Sequence, residues 1–188
     1  MGHHSFAKND QVTHPRNRPG AKDPTVAMTR DQFADVDDPQ ARRAHLPERT
    51  VCSRCNAVVH NGLWKMDAGQ KHLLLSMGAA SEVVCPACRQ VEEHAPEGVL
   101  TLRGNFLREH AVEIVHLIRN EADEALVDNP MERIIDLRTT EDEWVVETTN
   151  EKLAQRIGRA VYRAYKGDLD YHWGGGNHLA RVDWTRDS

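Results

Sequence analysis

The chain has 188 residues, a formal net charge of −5, 39% hydrophobic residues and only 5% aromatic ones. No apolar run approaches the roughly 20 residues that a helix needs to cross a bilayer, so a helical membrane protein is excluded. So lean and polar a composition argues against one packed core spanning the whole chain, and the acidic balance disfavours a general nucleic-acid coat.

Residues 1–50 are expected to form a disordered arm. Apolar residues are sparse there, and Pro15, Pro19, Pro24, Pro39 and Pro47 interrupt any helix. Such a segment cannot bury enough surface to offset its ordering entropy. It is either a solvated arm or one that orders on a partner, with Arg16, Arg18, Arg42, Arg43 and Arg49 meeting phosphates. The first residues lack the apolar stretch of a secretory signal, so a cytoplasmic protein is expected. In that reducing compartment paired cysteines are more often metal ligands than disulfides.

Residues 51–96 hold the four cysteines as two CxxC pairs, Cys52-Ser53-Arg54-Cys55 and Cys85-Pro86-Ala87-Cys88, with 29 residues between them. Two such turns can complete a tetrahedron of thiolates, the preferred donor set of structural Zn²⁺. Four sulfur ligands leave no open position for water, so the metal would be structural, without a Lewis-acid role. A zinc ribbon is expected, with Ala57–His60 and Glu82–Val84 as short strands beside the knuckles. A redox dithiol pair and an iron–sulfur site are the alternatives; the redox form normally opens a helix in a thioredoxin-like βαβ pattern, which the sequence does not show. His60, His72 and His94 are read as surface or supporting residues.

Residues 97–188 carry regular patterning and 12 Lys/Arg against 18 Asp/Glu, so the acidity of the chain resides here. Val99–Arg103, between Gly98 and Gly104, predicts a strand. Asn105 can cap a helix with Phe106, Leu107, His110, Ala111, Ile114, Leu117, Ile118 and Ala122 at helical spacing, ended by Pro130. Arg133–Arg138 and Glu143–Thr148 predict a hairpin. Thr148-Thr149-Asn150-Glu151 fits a capping box for a second helix, which stops near Gly167. A Gly174-Gly175-Gly176 loop precedes a last strand over Leu179–Trp184. The order strand, helix, strand, strand, helix, strand predicts an α+β ferredoxin-like βαββαβ domain with a four-stranded antiparallel sheet.

Lys152, Arg156, Arg159, Arg163 and Lys166 recur at steps of 4, 3, 4 and 3 and so share one stripe of the second helix. The first helix carries the opposite sign in Glu109, Glu113, Glu121, Asp123 and Glu124. Either the two helices neutralise each other with solvated ion pairs, or the basic stripe, about 21 Å long at about 1.5 Å per residue, tracks an RNA backbone. The sheet lacks the aromatics of an RNA-recognition motif, since Glu143–Thr148 offers only Trp144. There is no phosphate-binding loop, nucleophile elbow or HExxH pair, and no element that reads a DNA sequence. Asp168, Asp170, His172 and His178 around the triglycine loop are read as polar loop residues rather than a second metal cluster.

Cys85-Pro86-Ala87-Cys88, Gly98-Val99-Leu100-Thr101-Leu102-Arg103-Gly104 and Thr148-Thr149-Asn150-Glu151-Lys152-Leu153-Ala154 together resemble a family. It comprises small bacterial zinc-ribbon proteins related to the N-terminal part of the archaeal and eukaryotic nonsense-mediated decay protein three, the export adaptor of the large ribosomal subunit. The resemblance covers roughly residues 51–184. It implies a module associated with the ribosome or with structured RNA, although that family has more than one pair of zinc knuckles and further domains. The expected function is a non-enzymatic zinc protein that associates with RNA or the ribosome. The alternative is a protein-interaction or regulatory module with a structural zinc and no RNA contact.

Overall fold

A computed structural model describes residues 46–173 and 179–187. The first 45 residues, and with them most of the expected arm, lie outside the described residues, as do the triglycine loop and His178. The protein is α+β, with two mixed sheets.

The first sheet has the order β3-β2-β1-β4, from β1 (Thr50–Cys52), β2 (Ala57–His60), β3 (Leu63–Met66) and β4 (Ser81–Val83). Fold begins before residue 51: Thr50 is fully buried in β1, and Leu46 packs against the cysteine-lined core. Asn61 and Gly62 both take positive φ, as a two-residue hairpin turn between right-twisted strands requires. Two helices complete this part. The Asp67 carboxylate accepts from the Gln70 N–H at 2.7 Å and so caps α1 (Ala68–Ser76). Pro86 sits in the first turn of α2 (Pro86–Glu93), where no intrahelical N–H is lost.

The second sheet has five strands in the order β6-β7-β5-β9-β8: β5 (Gly98–Arg103), β6 (Ile134–Thr139), β7 (Glu143–Thr148), β8 (Asp168–Trp173) and β9 (Ala180–Thr185). The expected sheet had four antiparallel strands. The added strand is β8, whose Leu169 and Tyr171 alternate with Asp168, Asp170 and His172, so the residues read as a loop belong to a strand. It forms a hairpin with β9, and β9 inserts parallel to β5, with Leu100 opposite Val182 and Leu102 opposite Trp184.

The long first helix is also divided. His110 (φ −118°, ψ 23°) separates α3 (Phe106–Glu109) from α4 (Ala111–Asp128), its ring stacked on Phe106 at 4.0 Å. Asn105 lies at the α3 start without a side-chain capping bond. Helix α5 (Glu151–Tyr165) is capped by Asn150, whose side chain accepts from the Leu153 N–H at 3.0 Å; the expected cap, Thr148, instead donates its hydroxyl to the carbonyls of Gly98 and Asn150.

The main core lies between this sheet and α4 and α5. Leu100, Leu102, Trp144, Val146, Val182 and Trp184 meet Ile114, Ile118, Leu153, Ile157 and Val161, all buried. Helix α5 approaches closely at Gly158, where a β-carbon would stand 2.8 Å from a Val182 methyl. No helix among the described residues is long and apolar enough to cross a membrane.

Candidate metal centre

The two CxxC pairs converge from different local structures. Cys52 ends β1, and Cys55 follows in the turn before β2. Cys85 is the N-cap of α2, its sulfur 3.5 Å from the Cys88 N–H, and Cys88 lies in the first helical turn. The second pair is thus a strand-to-helix turn, where two equivalent ribbon knuckles were expected. The 29-residue gap is filled by β2, β3, α1 and β4, and the parallel pairing of β4 with β1 brings the pairs together.

The Sγ atoms of Cys52 and Cys88 are 3.8 Å apart, those of Cys55 and Cys85 3.9 Å, and all four lie within 4.8 Å of one another. A metal about 2.3 Å from each of four tetrahedral sulfurs sets an edge of about 3.8 Å, while a disulfide requires about 2.05 Å. The spacing therefore fits a shared ion and not a pair of bridges. A thiol-exchange pair has no need of a second pair at tetrahedral distance, which separates this site from the redox alternative even though Cys85 does open a helix. Cys52 and Cys85 are fully buried and Cys88 nearly so, with Cys55 half-buried. Backbone N–H groups of Arg54 and Cys85 point at the Cys52 sulfur, each at 3.4 Å. These contacts give the buried sulfur hydrogen-bond partners.

Without a cation the four sulfurs cannot all ionise. A hydrogen bond from Cys85 lowers the Cys55 thiol to about 4 against the opposing effect of burial, with Arg133 assisting; that same bond and burial push Cys85 far up. Burial raises Cys88 to about 11. A divalent ion replaces the retained protons, which is why such sites couple metal binding to proton release.

Arg133 is the residue that sequence reasoning missed. It reads there as the first residue of a strand, and nothing in its spacing marks it. Its guanidinium donates to Cys55 Sγ at 3.2 Å and to Cys88 Sγ at 3.4 Å, and its Nε donates to the Pro130 carbonyl at 2.8 Å. Nearby Met131 is buried in the same core as the cysteines.

None of the three singled-out histidines joins the thiol group. His60 and His72 are exposed, and His94 lies 2.7 Å from a Glu147 oxygen. His94, Asp136 and Glu147 form a second cluster, but Arg138 bonds both carboxylates, at 3.0 and 2.7 Å, and supplies its positive charge.

The basic stripe of α5 is divided by its surroundings. Arg156 lies 2.8 Å from Glu121, 2.7 Å from Glu124 and 3.7 Å from Asp128, all on α4. Lys152 and Arg159 are half-buried, Arg159 beside the Tyr171 hydroxyl. Arg163 and Lys166 are exposed; Lys166 reaches the Arg163 carbonyl at 3.3 Å. The acidic and basic helix faces named in the sequence do meet, through Arg156.

Comparison of the chain with family models, with curated proteins and with solved structures finds no match. The chemistry of the thiol cluster therefore carries the functional reading.

Proposed function

We propose that this chain is a zinc-stapled, non-enzymatic binding protein. The observation that supports it is the set of four sulfurs at the edge length of a zinc tetrathiolate, which leaves the metal no coordination position for water or substrate. Zinc occupies Cys52, Cys55, Cys85 and Cys88 and organises a part of the chain whose own cores are small. On this reading the first sheet is a ribbon variant whose second pair opens a helix, the second is a ferredoxin-like arrangement with the β8–β9 hairpin in place of its last strand, and the protein works in the reducing cytoplasm. Elemental analysis of the purified full chain should give one zinc per chain, and Co²⁺ substitution should give the visible spectrum of a tetrahedral thiolate complex. A chain purified under reducing conditions that binds neither ion refutes the proposal.

For the partner, the loss of Arg156 to three carboxylates of α4 favours a protein over RNA. Leu73 on α1 and Met77 at the C-cap of that helix also stand in solvent, four residues apart and 56% and 67% exposed, a combination that fits an apolar protein surface. Association with the ribosome or structured RNA is the second reading. It draws on the family resemblance and on Arg163 and Lys166, the exposed end of the stripe. RNA binding measured across a salt series separates them: phosphate neutralisation by several cations gives a steep loss of affinity with salt, and the protein reading expects no such slope.

A further inference from the structure

Arg133 belongs to the second sheet's connection yet touches the sulfurs of the first. Its two terminal nitrogens divide between Cys55, from the turn of the first pair, and Cys88, from the helix of the second. Its own backbone is fixed on the other side: the Arg133 N–H donates to the Thr149 hydroxyl at 2.9 Å, and the Thr149 N–H donates to the Arg133 carbonyl at 2.9 Å. The Thr149 hydroxyl in turn donates to the Met131 carbonyl at 2.5 Å, and Gln90, from the metal-side helix α2, donates to the Thr149 carbonyl at 2.9 Å. One chain of contacts thus runs from the thiols through Arg133 and Thr149 to the residues that start α5, and returns through Gln90 to α2.

Geometry and charge together give this chain a dependence on the metal. Four thiolates and one Zn²⁺ carry a net charge of −2, so the half-buried guanidinium beside them is attracted. Without the ion nothing holds Cys55 and Cys88, which come from different pairs, at the spacing the guanidinium spans, so its bridge between the two pairs is lost. We infer that Arg133 makes metal binding the clasp between the two sheets: the loaded centre holds the segment from Asn129 to Arg133 and, through it, the β7–α5 junction, while the empty centre releases both. The inference rests on the zinc reading above and adds to it that the metal governs how the two parts dock, beyond holding the first one together.

The test uses the full chain. Zinc content is measured first, so that a failure of the metal reading is seen separately. Hydrogen exchange is then followed in the zinc-loaded and chelator-stripped protein. Stripping should release the amides of Arg133 and Thr149 together with those of the first sheet, while Leu100 and Leu102 of β5 keep their protection. In parallel, Arg133→Met and Arg133→Lys are compared with the wild type for transfer of zinc to a chromophoric chelator. Both variants keep four cysteines and should still bind one zinc, but transfer should quicken about 10-fold or more, the scale seen for other residues that support metal ligands. Lysine should fail to rescue, because a single ammonium cannot span two sulfurs as the planar fork does. Unchanged protection of Arg133 and Thr149 on stripping, or wild-type transfer rates in both variants, overturns the inference. The exchange comparison needs no variant, so it stands even where a substitution prevents folding.

Discussion

The contact of Arg156 with α4 decides how the basic stripe is to be understood, and it can be weighed directly. The Arg156 and Glu121 side chains are 28% and 19% exposed and 2.8 Å apart, placing the pair between the surface and buried regimes. Fully exposed pairs contribute about 0.2–1 kcal/mol, and breaking a buried pair costs about 3–5 kcal/mol. Glu124 and Asp128 are 70% and 78% exposed and add at most a few tenths of a kcal/mol each. Arg156→Met should therefore destabilise the protein by about 1.5–2 kcal/mol. It keeps most of the aliphatic stem, so the loss reports the charge rather than the packing. Adding Glu121→Gln should recover about 1 kcal/mol, because the partly buried carboxylate no longer lacks its cation. The assay is urea unfolding of the wild type, both single variants and the double variant, at low and high salt, with the coupling energy taken from the cycle. A coupling within about 0.3 kcal/mol of zero, or a stable Arg156→Met, would show that α4 does not hold the stripe and would return Arg156 to the surface available for RNA.

Three further outcomes are expected. Gln155 is 1% exposed and its side-chain N–H₂ meets no hydrogen-bond partner among the described residues, so Gln155→Met, similar in length and helix propensity, should raise the urea midpoint by the equivalent of about 1 kcal/mol at unchanged slope; a lower midpoint would mean that the amide is satisfied. Gly98→Ala would place a β-carbon 2.5 Å from Thr148 Oγ1, 2.6 Å from the Asn150 carbonyl and 2.9 Å from the Ala154 β-carbon, and should lower stability by about 3 kcal/mol in a thermal melt, with no measurable change counting against the packing described here. Chelation should convert four sulfurs from slow to fast reaction with a thiol reagent, in one kinetic phase per bound zinc; reaction at the same rate before and after would argue against a shared ion.

Local chemistry was the legible part of this sequence. The two CxxC pairs, the hairpin at Ile134–Thr148 and the apolar face of α5 are each written in adjacent residues, and each is found where spacing places it. What escaped was set by partners distant in sequence. Strand β8 carries an alternation of Leu169 and Tyr171 with charged residues that signals a strand, but Asp168, Asp170 and His172 also resemble a polar loop, and only pairing with β9 decides between them. The break at His110 has no proline or glycine to announce it. The α5 cap moved from Thr148 to Asn150 because the Thr148 hydroxyl is used by β5. Arg133 was invisible for the same reason: its role is defined by sulfurs 45 and 78 residues away.

The insertion of β9 between β5 and β8 also constrains the order of assembly. Arg103 of β5 and Asp183 of β9, which bond at 2.7 Å, are 80 residues apart, and the two strands run parallel. Such a pairing bears its loop-closure entropy before any contact compensates it, so it forms late. Until Val182 and Trp184 arrive, Leu100 and Leu102 lack their neighbours, and one edge of β5 stands open to other chains. A growing chain thus adds about 80 residues after β5 with the middle of its larger sheet unfinished, and this interval is a period of exposure to misassociation.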